Sequence, residues 1–229
     1  MRTRLVLTCE HAGKRVPREH AALFRGASRV LASHRGWDPG ALTLGRALGR
    51  ATDVEVLACT WTRLLVEPNR SLGHPRLFSE YTRGLDAEQR EQVVERYWRP
   101  HRARVERALD AAARKGRALH VAVHSFTPVL DGEPRPFEIG LLYDPRRRWE
   151  RELARHWRAL LRQAAPELRV RLNRPYKGTS DGLTTAERKR LPDRRYAGIE
   201  LELNQAVLAG PRRAEVTRAL VASLRGLLD

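Results

Sequence analysis

Short apolar runs rich in β-branched residues alternate with longer amphipathic segments along most of the chain. Six such runs predict strands, at residues 4–9, 54–59, 119–125, 138–144, 168–172 and 198–203. Four segments with apolar positions at helical spacing predict helices, at residues 38–51, 86–115, 147–165 and 211–228. The alternation predicts an α/β fold over residues 1–229: a single three-layer domain with a mostly parallel mixed sheet and helices on both faces.

Three of the predicted helices have a recognisable start signal. Asp38 followed by Pro39 resembles an N-cap with proline at the first helical position. Asp86 offers another N-cap, and Pro211 is placed to open the last helix. Capping alone would explain an acid at position 38, so this residue has a structural and a functional interpretation.

The composition is typical of a soluble folded protein, with 41% hydrophobic and 31% charged residues. No apolar run approaches the roughly 20 residues that cross a bilayer, so we expect no membrane association. The first apolar run leads directly into Glu10 and His11 without a cleavage site, so we expect no signal peptide and a cytoplasmic location. For Cys9 and Cys59, two buried thiols are favoured over a disulfide.

The net charge of +17 comes almost entirely from arginine. Four of the 44 basic residues are lysines and 40 are arginines. They are spread over nearly every segment, often beside glutamate, whereas a nucleic-acid surface usually concentrates its charge in one patch. The pattern therefore favours solvated helix faces and a small anionic substrate over a nucleic-acid partner.

Candidate catalytic groups collect where the predicted strands end, which is where ligands bind in open α/β sheets. His11 follows the first strand, His124 ends the third, and Glu202 lies in the last. Together with Asp38, the two histidines could bind zinc through three side chains and leave one position for water. Glu202 could then accept the proton of that water. Each residue alone has an ordinary structural interpretation, and the combination favours a hydrolytic metal site.

Neighbouring residues fit this chemistry less well. His120 shares a strand face with His124 but starts the run, away from the expected site. Glu200 and Glu202 share a face of one strand, where buried carboxylates need partners. Cys9 is a poor nucleophile, because burial and the adjacent Glu10 would both raise the pKa of its thiol.

The stretch "RLLVEPNRS", residues 63–71, combines an apolar run with a rigid polar turn. Arg63 and Arg70 border the run and could grip a substrate carboxylate in the two-pronged geometry that lysine lacks. Asn69 could orient the same substrate. The alternative is that Arg70 pairs with Glu67 and the turn only ends a strand.

Six blocks resemble, in order, the N-formylglutamate amidohydrolase family. They are "TCEHAGKRVP", "HRGWDPGA", "TRLLVEPNRS", "VHSFTPVLDGEPRP", "NRPYKGTSDGLTTAE" and "IELELNQAVL". The family is similar in fold to zinc carboxypeptidases, aspartoacylase and succinylglutamate desuccinylase. The resemblance implies zinc-dependent hydrolysis of N-formyl-L-glutamate to formate and glutamate. The residues that match the family's functional positions are His11, Asp38 and His124 for the metal, Glu202 for the catalytic base, Arg63, Asn69 and Arg70 for the substrate carboxylate, and Asn173 with Tyr176 for a substrate loop. In the mechanism expected from these residues, Arg63 or Arg70 would also stabilise the oxyanion.

The chain departs from the family at three places, one of which is the stretch before the last strand, where the family often has a histidine and this chain reads "RKRLPDRRY". Glu67 replaces an aspartate, and Asn204 stands where an arginine is common. His34, inside a matching block, is an alternative ligand or a neighbour of the ligands. The same machinery acting on another N-acyl amino acid or a small peptide therefore stays open, as does a non-catalytic anion- or nucleic-acid-binding role. The identity of the metal and the oligomeric state are not determined by the sequence.

Overall fold

The apolar runs form a central sheet with helices on both sides. The computed structural model describes residues 2–228. The strands are β1 Thr3–Cys9, β2 Val56–Ala58, β3 Arg117–Phe126, β4 Val129–Leu130, β5 Glu133–Pro134, β6 Ile139–Leu142, β7 Val170–Leu172 and β8 Tyr196–Asn204. Six of them form one sheet in the order β2-β1-β3-β8-β6-β7, and β4 and β5 form a separate hairpin. The β2-β1-β3-β8 pairings are parallel, while β6 runs antiparallel to β8. The predicted single-domain α/β fold with a mostly parallel mixed sheet is confirmed.

In the described part of the chain, residues 2–228, eight α-helices connect and cover these strands. They are α1 Ser28–Ala32, α2 Ala41–Thr52, α3 Ala87–Val93, α4 Arg99–Lys115, α5 Arg148–Ala164, α6 Leu183–Arg190, α7 Gln205–Ala209 and α8 Arg213–Leu228. A 3₁₀ helix spans Arg18–Phe24, and a π-helical segment, Val94–Trp98, joins α3 to α4. Asp86 caps α3 in a capping box with Gln89, as predicted. The short helices α1, α6 and α7 were not predicted, because they lack an extended apolar period.

The predicted cap at Asp38 is wrong. Helix α2 begins at Ala41, and its N-cap is Gly40, whose φ of 82° lies in the left-handed region that favours glycine. A Cβ at this glycine would lie 2.9 Å from the side chain of Leu208, so the turn is also sterically restricted. The chain reverses at Gly40, which leaves the Asp38 carboxylate free for other contacts.

The two faces of the sheet differ in chemistry. Helices α2, α5 and α8 cover one face over the main apolar core, to which β3 contributes Leu119, Val121 and Val123. Helices α4 and α6 cover the other face, which carries the alternate residues of the strands. His124 and Glu202, which are opposite each other in the β3–β8 register, lie on this second face. Strand alternation thus separates a dry core from a polar layer.

A smaller apolar cluster is formed where the two long segments that follow β1 and β2 pack together. It includes Leu64, Leu65 and Val66, which form turns, so the alternative in which this stretch ends a strand is wrong. Burial of these three side chains fixes the polar groups on either side of them. Within residues 2–228, no helix is long and apolar enough to span a membrane.

Candidate active site

A polar cleft opens at the carboxyl ends of β1, β3 and β8. Its volume is about 230 Å³. The lining residues are His11, His34, Asp38, Arg63, Asn69, Arg70, His124, Ser125, Phe126, Thr127, Tyr176, Lys177, Ser180, Asp181, Glu200 and Glu202. The cleft therefore contains all but one of the site residues expected from the sequence, the exception being Asn173.

Two histidines and one aspartate meet at the base of the cleft. The Nδ1 atoms of His11 and His124 lie 3.3 Å and 3.0 Å from Oδ2 of Asp38. All three residues are buried, and one ligand atom from each lies within 4.8 Å of the other two. The backbone N–H of Ser125 also donates to Oδ2 of Asp38, at 3.2 Å. A set of two imidazoles and one carboxylate converging on one point has the composition of a catalytic zinc site.

Glu67 orients the first of these histidines from outside. Its Oε1 accepts a bond from Nε2 of His11 at 2.5 Å, which leaves Nδ1 facing Asp38. Its Oε2 lies 2.6 Å from Nε and 2.5 Å from an Nη atom of Arg63. The backbone N–H of Asn69 donates to Oε1 at 3.0 Å. A carboxylate behind an imidazole is the usual support of a metal-binding histidine, and Glu67 has this arrangement with His11.

The charges of the buried groups depend on one another. Burial disfavours the ionised form of Asp38, but contact with His11 and His124 outweighs it, so the pKa of the carboxyl is strongly lowered. For His124 burial would lower the pKa, yet Asp38 and Glu10 together raise it well above its usual value. The pKa of Glu67 is likewise lowered against the effect of burial, mainly by Arg63 and His11. These pairings keep the carboxylates ionised, as cation ligands must be.

Glu202 differs from the other carboxylates of the site. Its side chain is buried, and its Oε2 has no hydrogen-bond partner within residues 2–228. Burial, supported by the charges of Asp38 and Glu200, raises its pKa to about 8. Glu200, two residues earlier, also lines the cleft but accepts a bond from the Thr184 hydroxyl at 2.6 Å. A buried carboxyl group with a raised pKa at a cleft is a candidate for proton transfer.

The arginine pair expected to bind carboxylate lies at the cleft with unequal freedom. Arg63 is tied to Glu67, and its other Nη atom lies 3.6 Å from Oδ1 of Asp38. Arg70 donates instead to the backbone carbonyls of Asn69 and Asp181, so the alternative pairing of Arg70 with Glu67 is wrong. The Asn69 side chain accepts the backbone N–H of Leu183 at 2.6 Å, which fixes the start of α6 beside the cleft.

The loop after β7 contains two residues expected at the site, Asn173 and Tyr176, and a third, Lys177, that the sequence did not single out. Asn173 does not line the cleft, because its Oδ1 accepts the backbone N–H groups of Tyr143 and Gly178, at 3.0 Å and 3.1 Å. Tyr176 does line it, and its ring lies against the guanidinium of Arg135. Lys177 follows directly and adds a third strongly basic side chain to the cleft. The dense polar pattern of "PYKGTSDG" was the available signal for this loop.

Other residues considered from the sequence lie outside the site. His120 bonds to the hydroxyls of Thr8 and Tyr196, at 2.8 Å and 2.9 Å, and is fully buried. Cys9 and Cys59 are buried free thiols, as expected, and burial raises the pKa of both. Asn204 does not line the cleft: it caps α7 and donates to the carbonyl of Phe137 at 3.0 Å.

Together the fold and the site define a class: single-domain α/β proteins with a His-Asp-His centre at the carboxyl edge of a mostly parallel sheet. The profile of the N-formylglutamate amidohydrolase family matches residues 3–209. The chain belongs to the N-formylglutamate amidohydrolase family, as its sequence blocks indicated.

Two solved structures share the fold. The gene product Atu2144 from Agrobacterium tumefaciens is 28% identical, with a TM-score of 0.80 over 98% of this chain and 88% of that one. The N-formylglutamate amidohydrolase from Ralstonia eutropha JMP134 is 21% identical, with a TM-score of 0.72 over 98% of this chain and 93% of that one. No protein with a curated description matches the chain.

Proposed function

We propose that the protein is a metal-dependent amidohydrolase that cleaves the amide bond of a small N-acyl amino acid, with N-formyl-L-glutamate as the first candidate. The observation that carries the proposal is the convergence of His11, Asp38 and His124 on one point at a cleft that Glu202 also lines, with its Oε2 unpartnered within residues 2–228. Membership of the family supports the reaction class.

The three converging residues would hold one divalent cation, and their nitrogen and oxygen donors fit zinc. When bound, such a cation lowers the pKa of a water molecule and polarises the acyl oxygen. The protein contributes ionised Asp38 and imidazoles that present Nδ1 toward it. Because only three side chains converge, room is left on the cleft side for water or substrate.

Glu202 is the proposed proton carrier. As a carboxylate it accepts a proton from the attacking water, and as an acid it donates one to the departing nitrogen. A pKa of about 8 suits both steps near neutral pH, because neither protonation state is strongly disfavoured there. The burial that raises this pKa also excludes bulk water from the acid.

Cationic side chains around the cleft would bind the substrate carboxylates. Arg70 and the exposed Lys177 line the cleft, while Arg63 is held by Glu67 and lies 3.6 Å from Oδ1 of Asp38, so we assign it to the oxyanion. Sites for drug-sized ligands occupy about 300–1,000 Å³, so a volume of about 230 Å³ favours an amino-acid-sized substrate over an extended peptide. A small molecule with one or two carboxylates fits this description.

The same machinery acting on a different N-acyl amino acid is the second candidate. It is favoured by Asn204, which stands where the family often has arginine and whose amide is used within the fold. A cation absent at that position would change substrate contacts without disturbing the metal ligands.

The test combines metal content with turnover. Purified protein should contain or take up about one zinc per chain and release formate from N-formyl-L-glutamate. His124→Ala should lose the metal, whereas His120→Gln, a change on the same strand face, should keep it. Glu202→Gln should keep the metal and lose turnover by about 100-fold or more. Wild-type turnover in Glu202→Gln, or no zinc bound by the wild-type chain, would refute the proposal.

A further inference from the structure

A buried carboxylate lies behind the candidate metal centre and is not used by the proposed reaction. Glu10 follows β1 directly, is fully buried and does not line the cleft. Its Oε2 lies 2.9 Å from Nε2 of His124, and its Oε1 lies 4.0 Å from Nε2 of His101. Within residues 2–228 there is no arginine or lysine within ion-pair distance of it.

Glu10 and His124 each lack another partner on the atoms that face each other. Neither Oε atom of Glu10 nor Nε2 of His124 has a regular hydrogen bond within the described chain, because the short contact between them is poorly aligned. Leaving a buried charge unpaired costs several kcal/mol. Hydrogen bonds at catalytic sites are often misaligned before the ligand binds and tighten afterwards. The contact is therefore the one interaction that can satisfy both groups.

We propose that Glu10 is a positioning residue, whose carboxylate accepts the Nε2–H of His124 and so directs Nδ1 of that imidazole toward Asp38 and the cation. The inference rests on the proposed function, since it assigns Nδ1 of His124 as the metal-binding atom. Glu67 holds the other histidine in the same way, through Nε2 of His11. With Glu10, each imidazole would have its own supporting carboxylate on the side away from the cleft.

The same two strands provide a matched control. Thr8 lies two residues before Glu10 on the same face of β1, and its hydroxyl bonds to Nε2 of His120 at 2.8 Å. His120 lies four residues before His124 on β3. Thr8→Val removes a partner from Nε2 of a buried histidine in the same layer without touching the metal ligands.

The experiment compares wild type, Glu10→Leu, Glu10→Gln and Thr8→Val by two measurements. The first is the exchange-protected Nε2–H proton resonance of His124 in ¹⁵N-histidine-labelled, metal-free protein, which does not depend on metal binding. The second is zinc affinity by competition with a chelator. Glu10→Leu should lose the protected resonance and bind zinc about 10- to 100-fold more weakly. Glu10→Gln, whose amide oxygen still accepts a bond, should recover most of the affinity, and Thr8→Val should match wild type.

Several outcomes would overturn the inference. A wild-type protein without a protected Nε2–H on His124 would show that the bond does not form, and this readout remains decisive if Glu10→Leu fails to fold. Zinc affinity unchanged in a folded Glu10→Leu, or lowered equally in Thr8→Val, would show that the carboxylate does not position the ligand. Failure of the wild-type chain to bind zinc at all would instead refute the proposed function, and with it the assignment of Nδ1.

Discussion

The two histidines of β3 should respond to acid in opposite directions, and His120 permits a quantitative prediction. Its imidazole is buried between the hydroxyls of Thr8 and Tyr196. Burial, together with the positive charge of Arg188, lowers its pKa from 6.5 to about 4, although the nearby Glu10 opposes this. Between about pH 4 and pH 6.5, His120 is therefore neutral in the fold while the same residue in the unfolded chain is protonated.

The magnitude follows from proton linkage. Between pH 6.5 and pH 4 the unfolded state binds more protons at this residue, so the stability of the fold decreases as the pH falls through that window. For a histidine with a pKa of about 4 in the fold and 6.5 when unfolded, the loss between pH 7 and pH 5 is about 2 kcal/mol. His124, whose pKa is raised, has the opposite effect in the metal-free protein.

The assay is urea denaturation of wild type and His120→Gln at pH 7 and pH 5. Gln keeps a polar partner for the two hydroxyls but does not titrate. The free energy of unfolding should fall by about 2 kcal/mol more in wild type than in the variant over this interval. Comparing the free energy of unfolding of the two proteins removes the contributions of His124 and the other titrating groups, because both proteins contain them. His156→Gln, on the exposed surface of α5, should behave like wild type. Equal losses in wild type and His120→Gln would refute the neutral, buried state of His120.

Three further outcomes are expected. Lys177→Met should raise KM for a dicarboxylate substrate about 10-fold, while kcat should stay within a few-fold of wild type. The reason is that a cation lining the cleft contributes to substrate binding rather than to the chemical step, and steady-state kinetics measure both parameters. Cys9 and Cys59 should resist alkylation at pH 8 in the native protein and react in urea. The reason is that burial raises the pKa of both thiols, that of Cys59 to about 12, and rapid labelling of the native protein would contradict this. Gly178→Ala should destabilise the fold by about 1–3 kcal/mol in thermal unfolding, since a Cβ there would lie 2.2 Å from the backbone nitrogen of Tyr143; unchanged stability would show that the loop moves freely.

Much of the fold could be predicted because its signals are local. The strands are recognisable as apolar runs because helices cover both faces of the sheet, and β1, β3 and β8 lie within two residues of their predicted ends. Helix α6 could not be predicted in this way. Its sequence, "LTTAERKR", has no extended apolar stripe, and its position depends on Asn69 holding Leu183, 114 residues away.

The candidate site was predictable at the level of residue types and strand ends. His11, Asp38 and His124 were identifiable because parallel strands bring their carboxyl ends to one edge, so short separate signals converge. The assignment of Asp38 as a helix cap failed, because the left-handed turn at Gly40 moves the start of α2 by two residues. Asn173 was placed in the cleft by its sequence block alone, and its backbone bonds were not visible there.

The sequence by itself determined the class of fold, the family and the set of groups available for chemistry, because periodicity and motif order are properties of the chain. Only the tertiary structure decided which atoms of those groups face each other. Nδ1 of both histidines turns to Asp38, while Glu67 and Glu10 occupy their far sides. The residues in these contacts are between 27 and 114 positions apart in the sequence. Strand register fixes the direction of their side chains and burial fixes their charge, and no local sequence pattern encodes either property.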